Sequence, residues 1–299
     1  MTDRSVPSWT VGGLVVHRID ETAFPPETGA WLLPAATPEV VTRQSWLRPD
    51  FATPDGILRA SSHTFAFVTA NGLRVLVDTG IGNGKTRANP AWHDLDTDYL
   101  QRLTDAGFPP ETVDLVVLTH LHTDHVGWNT RLTDDGSWTP TFPRARYVTS
   151  RTEWDYWAAT AGQMEESRRQ MFRDSVDPVH DAGLLDLVDV TDGPTTIAPG
   201  VRLLPTPGHT PGQVAVELAD AGRRAVITGD CLHHPVQLSD PDITSCVDID
   251  PGQAIRTRRT LLAGLAGTDV LLLGSHFPPP TAGHVVPDGE GYRLVPPAA

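Results

Sequence analysis

Within Thr119-His120-Leu121-His122-Thr123-Asp124-His125-Val126-Gly127, three histidines and one aspartate fall in six consecutive positions. Imidazole nitrogen and carboxylate oxygen are ligands that Zn²⁺ and related divalent ions accept. So dense a set predicts a site for more than one metal. Four segments share one pattern, in which a short apolar strand ends and a ligand-type residue follows in the loop. Leu115–Thr119 precedes the cluster, and Val201–Thr206 leads to His209 in Pro207-Gly208-His209-Thr210-Pro211-Gly212. Ala225–Thr228 leads to Asp230, and Val270–Leu273 leads to His276 in Gly274-Ser275-His276. Loops at strand ends are where a rigid scaffold displays functional groups.

In an extended segment, residues two apart project to the same side. His120 and His122 can therefore share one ion, with His209 as a third ligand. The chain then turns, so that Asp124 and His125 face a neighbouring point, completed by His276. Asp230 has two carboxylate oxygens and could bridge the ions, which leaves positions open for water, as a catalytic site requires.

The order His120-x-His122-x-Asp124-His125, then His209, Asp230 and His276, resembles the metallo-β-lactamase superfamily, and Asp78-Thr79-Gly80 matches that family's early strand-end aspartate. The resemblance covers roughly residues 60–280. It implies an α+β fold, an αββα sandwich of two mixed sheets flanked by helices, with metals at one edge. It also implies a first site of His120, His122 and His209, a second of Asp124, His125 and His276, and Asp230 as the bridge. Val126-Gly127-Trp128-Asn129, His233-His234-Pro235 and Ser275-His276-Phe277-Pro278 are similar to the branch that holds methyl parathion hydrolase and the acyl-homoserine lactonases.

The expected cofactors are two Zn²⁺, though iron or manganese accept nearly the same ligands. The expected chemistry is hydrolysis by a hydroxide shared between two ions. Asp124 is expected to shuttle a proton to the leaving group as well as to bind metal. An ester or lactone of a small, partly apolar molecule is the expected substrate. The same site suits phosphotriester, thioester or β-lactam hydrolysis, and a mononuclear iron oxygenase or a non-catalytic binding module would use a similar frame.

Other residues have plainer readings. His17, His63, His93, His180 and His284 are expected at the surface or as packed core. Asp78 is expected to hydrogen-bond a ligand histidine or hold its loop rather than bind metal. His233 and His234 are expected to line the pocket or to pack, and Cys231 to be a small buried residue. Trp154, Tyr156 and Trp157 read as helix core, while Phe24, Trp31 and Trp46 are candidates to cover the pocket.

The chain has 299 residues, 39% hydrophobic and 20% charged, with a net charge of −14. That is an ordinary globular balance, and it argues against a nucleic-acid phosphate footprint. The arginines 168, 169 and 173, and 256, 258 and 259, read as solvated helix faces. Two cysteines cannot make a disulfide framework. Residues 1–20 lack a signal-peptide pattern, and no stretch approaches the roughly 18 apolar residues of a membrane span. A cytoplasmic protein without membrane or nucleic-acid partners is expected, with a homodimer left open.

The pattern predicts a single metallo-hydrolase domain over 1–299, with the Pro- and aromatic-rich residues 21–60 as an N-terminal arm or lid. It predicts a strand at 12–19 and a hairpin of 64–69 with 73–78 around Asn71-Gly72. A helix is expected at 97–106, with strands at 114–119 and 145–149. Ser150-Arg151-Thr152-Glu153 reads as a capping box that starts a helix, and a second helix is expected at 164–174. Strands follow at 185–190, 201–205, 213–218 and 224–228. A helix capped by Asp250 runs to about 266, with a strand at 269–273 and a hairpin at 284–295.

Overall fold

A computed structural model describes residues 6–297. The chain forms two compact units, one from residues up to Thr22 together with Ser62–Asp189, the other from Ala23–Ser61 together with the chain from Val190 onward.

The first unit is built on a seven-stranded sheet in the order β1-β2-β3-β4-β5-β8-β9. Its strands are β1 (Ser8–Val11), β2 (Leu14–Ala23), β3 (Ser61–Val68), β4 (Arg74–Val77), β5 (Leu115–Val117), β8 (Arg146–Ser150) and β9 (Leu185–Val188). The predicted hairpin is β3–β4, antiparallel from Phe65↔Val77 to Val68↔Arg74. β4, β5, β8 and β9 are mutually parallel neighbours. Parallel pairing needs long crossovers, and here they carry the helices Tyr99–Asp105 and Arg151–Thr160. A small separate pair, β6 (Thr130–Leu132) with β7 (Trp138–Pro140), lies within the crossover from β5 to β8. Because β4 and β5 run the same way, with Val77 beside Val117, Asp78 and the histidine loop leave the sheet at the same edge.

The second unit is also built on a seven-stranded sheet, now in sequence order: β10 (Thr195–Ala198), β11 (Val201–Pro205), β12 (Val214–Asp220), β13 (Arg223–Ile227), β14 (Leu271–Leu273), β15 (Ala282–Asp288) and β16 (Gly291–Val295). Only β13 and β14 pair in parallel, joined through the helix Pro251–Leu265. β11 is two antiparallel steps from β13, so it runs in the same direction. The carboxyl ends of β11, β13 and β14 therefore share one edge, and His209, Asp230 and His276 each follow one of those ends.

Residues 23–61 contribute the helices Pro26–Leu32 and Pro38–Arg43. Leu32, Leu33, Val41, Leu47, Phe51 and Leu58 are buried in one core with Leu232, Leu262, Leu272 and Phe277. The first unit has its own core around Leu76, Tyr99, Val116, Leu118 and Tyr147. The predicted helix at 164–174 is Glu166–Met171, and it continues through a π-turn, Phe172–Val176, into Asp177–Asp181. Among the described residues, no helix is long and apolar enough to cross a membrane.

Candidate metal centre

In the first unit the loop after β5 holds His120, His122, Asp124 and His125 together. The rings of His120 and His122 are 4.6 Å apart and those of His120 and His125 are 4.1 Å apart. Asp124 Oδ1 lies 3.9 Å from His125 Nε2. Asp78 fills both roles expected of it. Its Oδ2 lies 2.9 Å from His125 Nδ1, and its Oδ1 accepts from Thr119 N at 2.8 Å. It does so with φ +60°, a conformation rare outside glycine that is held only when its surroundings over-determine it.

That surrounding frame is a buried carboxylate. Glu21 on β2 accepts from Ser62 Oγ (2.6 Å), Ile81 N (2.8 Å), Gly82 N (2.9 Å) and Trp128 Nε1 (2.7 Å). Burial pushes its carboxyl above the ordinary range, against those four donors. Gly127 N and Trp128 N in turn donate to Gly80 O (2.7 Å) and Thr79 O (2.8 Å), so the loop after β4 and the turn after the cluster form one body. A Cβ on Gly127 would fall 1.9 Å from the Ile81 carbonyl, which explains the glycine there.

The capping serine acts as predicted, with Ser150 Oγ accepting from Glu153 N at 3.0 Å. The Glu153 carboxylate also accepts from Leu121 N (2.9 Å) and Trp157 Nε1 (2.7 Å), tying the helix to the histidine loop. The Trp157 ring meets His122 edge-on at 5.7 Å. Arg168 is not on a solvated face: its guanidinium lies over the Trp157 ring at 4.5 Å. Burial lowers its pKa, opposed by the carboxylates of Asp124 and Glu153. Beyond Trp157, a cavity of about 310 Å³ is lined by Trp154, Ala158, Met164, Phe172 and Arg173.

In the second unit His209, Asp230 and His276 come together. Asp230 Oδ2 lies 3.4 Å from His209 Nε2, and Oδ1 lies 3.1 Å from His276 Nε2. His233 adds a third imidazole, its Nε2 3.3 Å from Asp230 Oδ2, and burial pushes its pKa down. His234 packs instead, donating from Nε2 to Phe51 O (2.8 Å) while Nδ1 accepts from Val236 N (3.0 Å). Cys231 is buried, its thiol pushed up to about 12 by that burial. Phe24 lies against His276, ring centroids 5.4 Å apart.

The residues fit divalent metal ions. His125 Nδ1 meets Asp78, His209 Nδ1 meets Asp248 Oδ1 at 2.9 Å, and His276 Nδ1 meets Ser61 O at 3.1 Å. An acceptor on Nδ1 fixes the proton there and leaves the lone pair on Nε2, which is the setting of a metal-ligating histidine. His120 Nδ1 is likewise beside Thr119 Oγ1 at 3.1 Å.

The profile described as the metallo-beta-lactamase superfamily matches residues 59–276. The chain belongs to that superfamily. Its two mixed sheets with flanking helices are the fold expected from sequence. No curated protein sequence matches the chain significantly. Among solved structures, the chain is similar to AidC, described as a dizinc quorum-quenching lactonase in complex with a product N-hexanoyl-L-homoserine. The TM-score is 0.79 at 20% identity, covering 99% of this chain and 98% of that one. It is also similar to AbOPH, described as a hydrolase in the beta lactamase superfamily, with TM-score 0.78, 23% identity and coverage of 100% and 99%. A probable metal-dependent hydrolase from Staphylococcus aureus matches with TM-score 0.70, 20% identity and coverage of 97% and 100%. The chain is a metallo-hydrolase of the superfamily, with His and Asp clusters of the type that hold divalent metals.

Sequence reasoning missed Asp248, Glu21 and the second role of Glu153. It also placed Arg258 on a solvated face, whereas Arg258 is fully buried, with Nε donating to the Cys231 carbonyl and Nη1 to those of Pro241 and Ile243.

Proposed function

We propose that this metallo-hydrolase cleaves an ester or lactone bond of a small, partly apolar molecule, using two divalent ions, zinc first among them. His120, His122 and His209 would hold one ion, Asp124, His125 and His276 the other, and Asp230 would be shared. The observation that carries this reading is the setting of Asp230, with one oxygen toward His209 and the other toward His276. A bridging carboxylate needs that division, because the two imidazoles are assigned to different ions. When bound, the ions would bring a water's pKa from about 15.7 toward roughly 7 and draw electron density from the substrate's carbonyl oxygen.

The chain's own residues supply the rest. The Asp124 side chain is 12% exposed against 2% for His125, so it is the more open of the two to solvent. Its carboxylate would take the proton lost by the attacking water and deliver it to the leaving oxygen, ordinary general acid–base work. Trp157, packed on His122 and fixed by Glu153, walls that side of the cluster. The lactone preference is carried over from AidC, whose structure holds a homoserine product.

The test is Asp124→Asn, with metal content and turnover measured on one preparation. Activity should fall by more than the loss of metal accounts for. Proportional losses would remove the proton-shuttle role. A metal-loaded wild-type protein inert toward esters, lactones and phosphotriesters would sink the hydrolytic reading.

A further inference from the structure

We infer that Asp248 is a positioning residue for the metal centre, holding His209 in its ligating tautomer and orientation with the buried Arg258 as its counter-charge. The inference rests on the reading of His209 as a metal ligand. The Asp248 side chain is fully buried, with Oδ1 2.9 Å from His209 Nδ1. Its Oδ2 accepts from Ser245 N at 2.9 Å and lies 4.0 Å from Arg258 Nη2. Arg258 is equally buried and donates from Nε to Cys231 O (2.9 Å) and from Nη1 to Pro241 O and Ile243 O (2.8 Å each). One guanidinium thus links the residue after Asp230 to the carboxylate behind His209.

The main chain is arranged to the same end. Ile249 N donates to His209 O (3.0 Å) and Asp250 N to Gly208 O (2.9 Å), a short ladder that sets Asp248 beside the imidazole. Asp250 then caps the helix Pro251–Leu265 by accepting from Gln253 N at 2.8 Å, which anchors the ladder to a rigid element. The loop that carries His209 lies hard against that helix, since a Cβ on Gly208 would fall 2.3 Å from Ala254 N. The backbone of His209 is thus held by 249–254 and its ring by Asp248.

A buried carboxylate costs several kcal/mol unless paired. Capping Ser245 N alone would need only a neutral acceptor. A charge committed to an imidazole Nδ1 raises the basicity of Nε2 and fixes the ring, and such outer partners are typically worth 10–100-fold in metal affinity. Asp248 stands to His209 as Asp78 stands to His125, so each unit carries one carboxylate-backed histidine.

The test is a zinc titration of the full chain against a chromophoric chelator, which resolves the two binding steps. Asp248→Asn keeps an acceptor oxygen and the shape while removing the charge. It should weaken one step by about 10–100-fold and leave the other unchanged. The visible spectrum of the Co²⁺-loaded variant should shift, and Asp248→Ala should weaken the same step further. Cys246→Ser, an exposed position on the same loop, should change neither step. Should Asp248→Ala fail to fold, the Asn variant decides. A folded Asp248→Asn that binds both ions as tightly as wild type, with an unchanged Co²⁺ spectrum, would overturn the inference. So would equal weakening of both steps, which marks a merely structural role. A wild-type chain that binds no zinc would instead overturn the metal-centre reading itself.

Discussion

His234 should give this protein a specific weakness toward acid. The imidazole is buried, donates from Nε2 to Phe51 O and accepts at Nδ1 from Val236 N. Protonation would put a second N–H against the Val236 N–H in a buried position. Burial accordingly pushes the pKa down from 6.5 to about 4. The folded state then binds fewer protons than the unfolded state between these values, so stability is complete above 6.5 and is lost as pH falls toward 4. Linkage gives a loss of about 2 kcal/mol at pH 5 and almost nothing at pH 7.5. His234→Gln keeps a donor for Phe51 O and cannot titrate. At pH 7.5 it should cost about 1–2 kcal/mol, from the lost acceptor for Val236 N. Denaturant unfolding of both proteins at pH 7.5 and 5 isolates the effect, because the other titrating groups cancel in the difference. The gap between wild type and variant should close or reverse at pH 5. An equal gap at both pH values would refute the reasoning.

Two further substitutions probe the frame under the histidine loop. Glu21→Ala leaves the N–H groups of Ile81, Gly82 and Trp128 without their acceptor, at about 1–3 kcal/mol each. Thermal or denaturant unfolding should show a loss near the whole stability of a domain, whereas Glu21→Gln, in which Ser62 can rotate to accept and only the Ile81 N–H loses its acceptor, should lose less. A mild Ala variant would mean that water replaces the carboxylate. Gly127→Ala places a methyl 1.9 Å from the Ile81 carbonyl, so the loop must move. Overpacking of that kind costs about 1–3 kcal/mol, and zinc binding should weaken with stability. Unchanged affinity would show that the turn relaxes without disturbing the histidines.

What could be read from sequence follows from how local each signal is. The cluster at 120–125 is legible because four ligand-type residues share one loop, and the strands before it and before His209, Asp230 and His276 are short apolar runs. Asp248 is not legible, because it meets His209 across 39 residues and lies in a loop of ordinary composition. Arg258 looks solvated between Arg256 and Arg259. Yet it lies on the stripe Ala254, Arg258, Leu262 and Leu265 that the helix buries, and its partner carbonyls together with the Asp248 carboxylate explain an arginine there. Residues 23–61 defeat periodicity because their helices run for only seven and six residues, too short for an amphipathic repeat to show. Glu21 gives no signal because a lone acid in a strand usually faces solvent, and its four donors come from β3 and from the loops after β4 and β5.

The most direct test of the two-metal claim is elemental analysis of the purified protein paired with ester and lactone hydrolysis before and after chelation. Two divalent ions per chain, with cleavage lost on chelation and restored by zinc, is the result expected. One ion per chain, or cleavage that survives complete removal of metal, would contradict it.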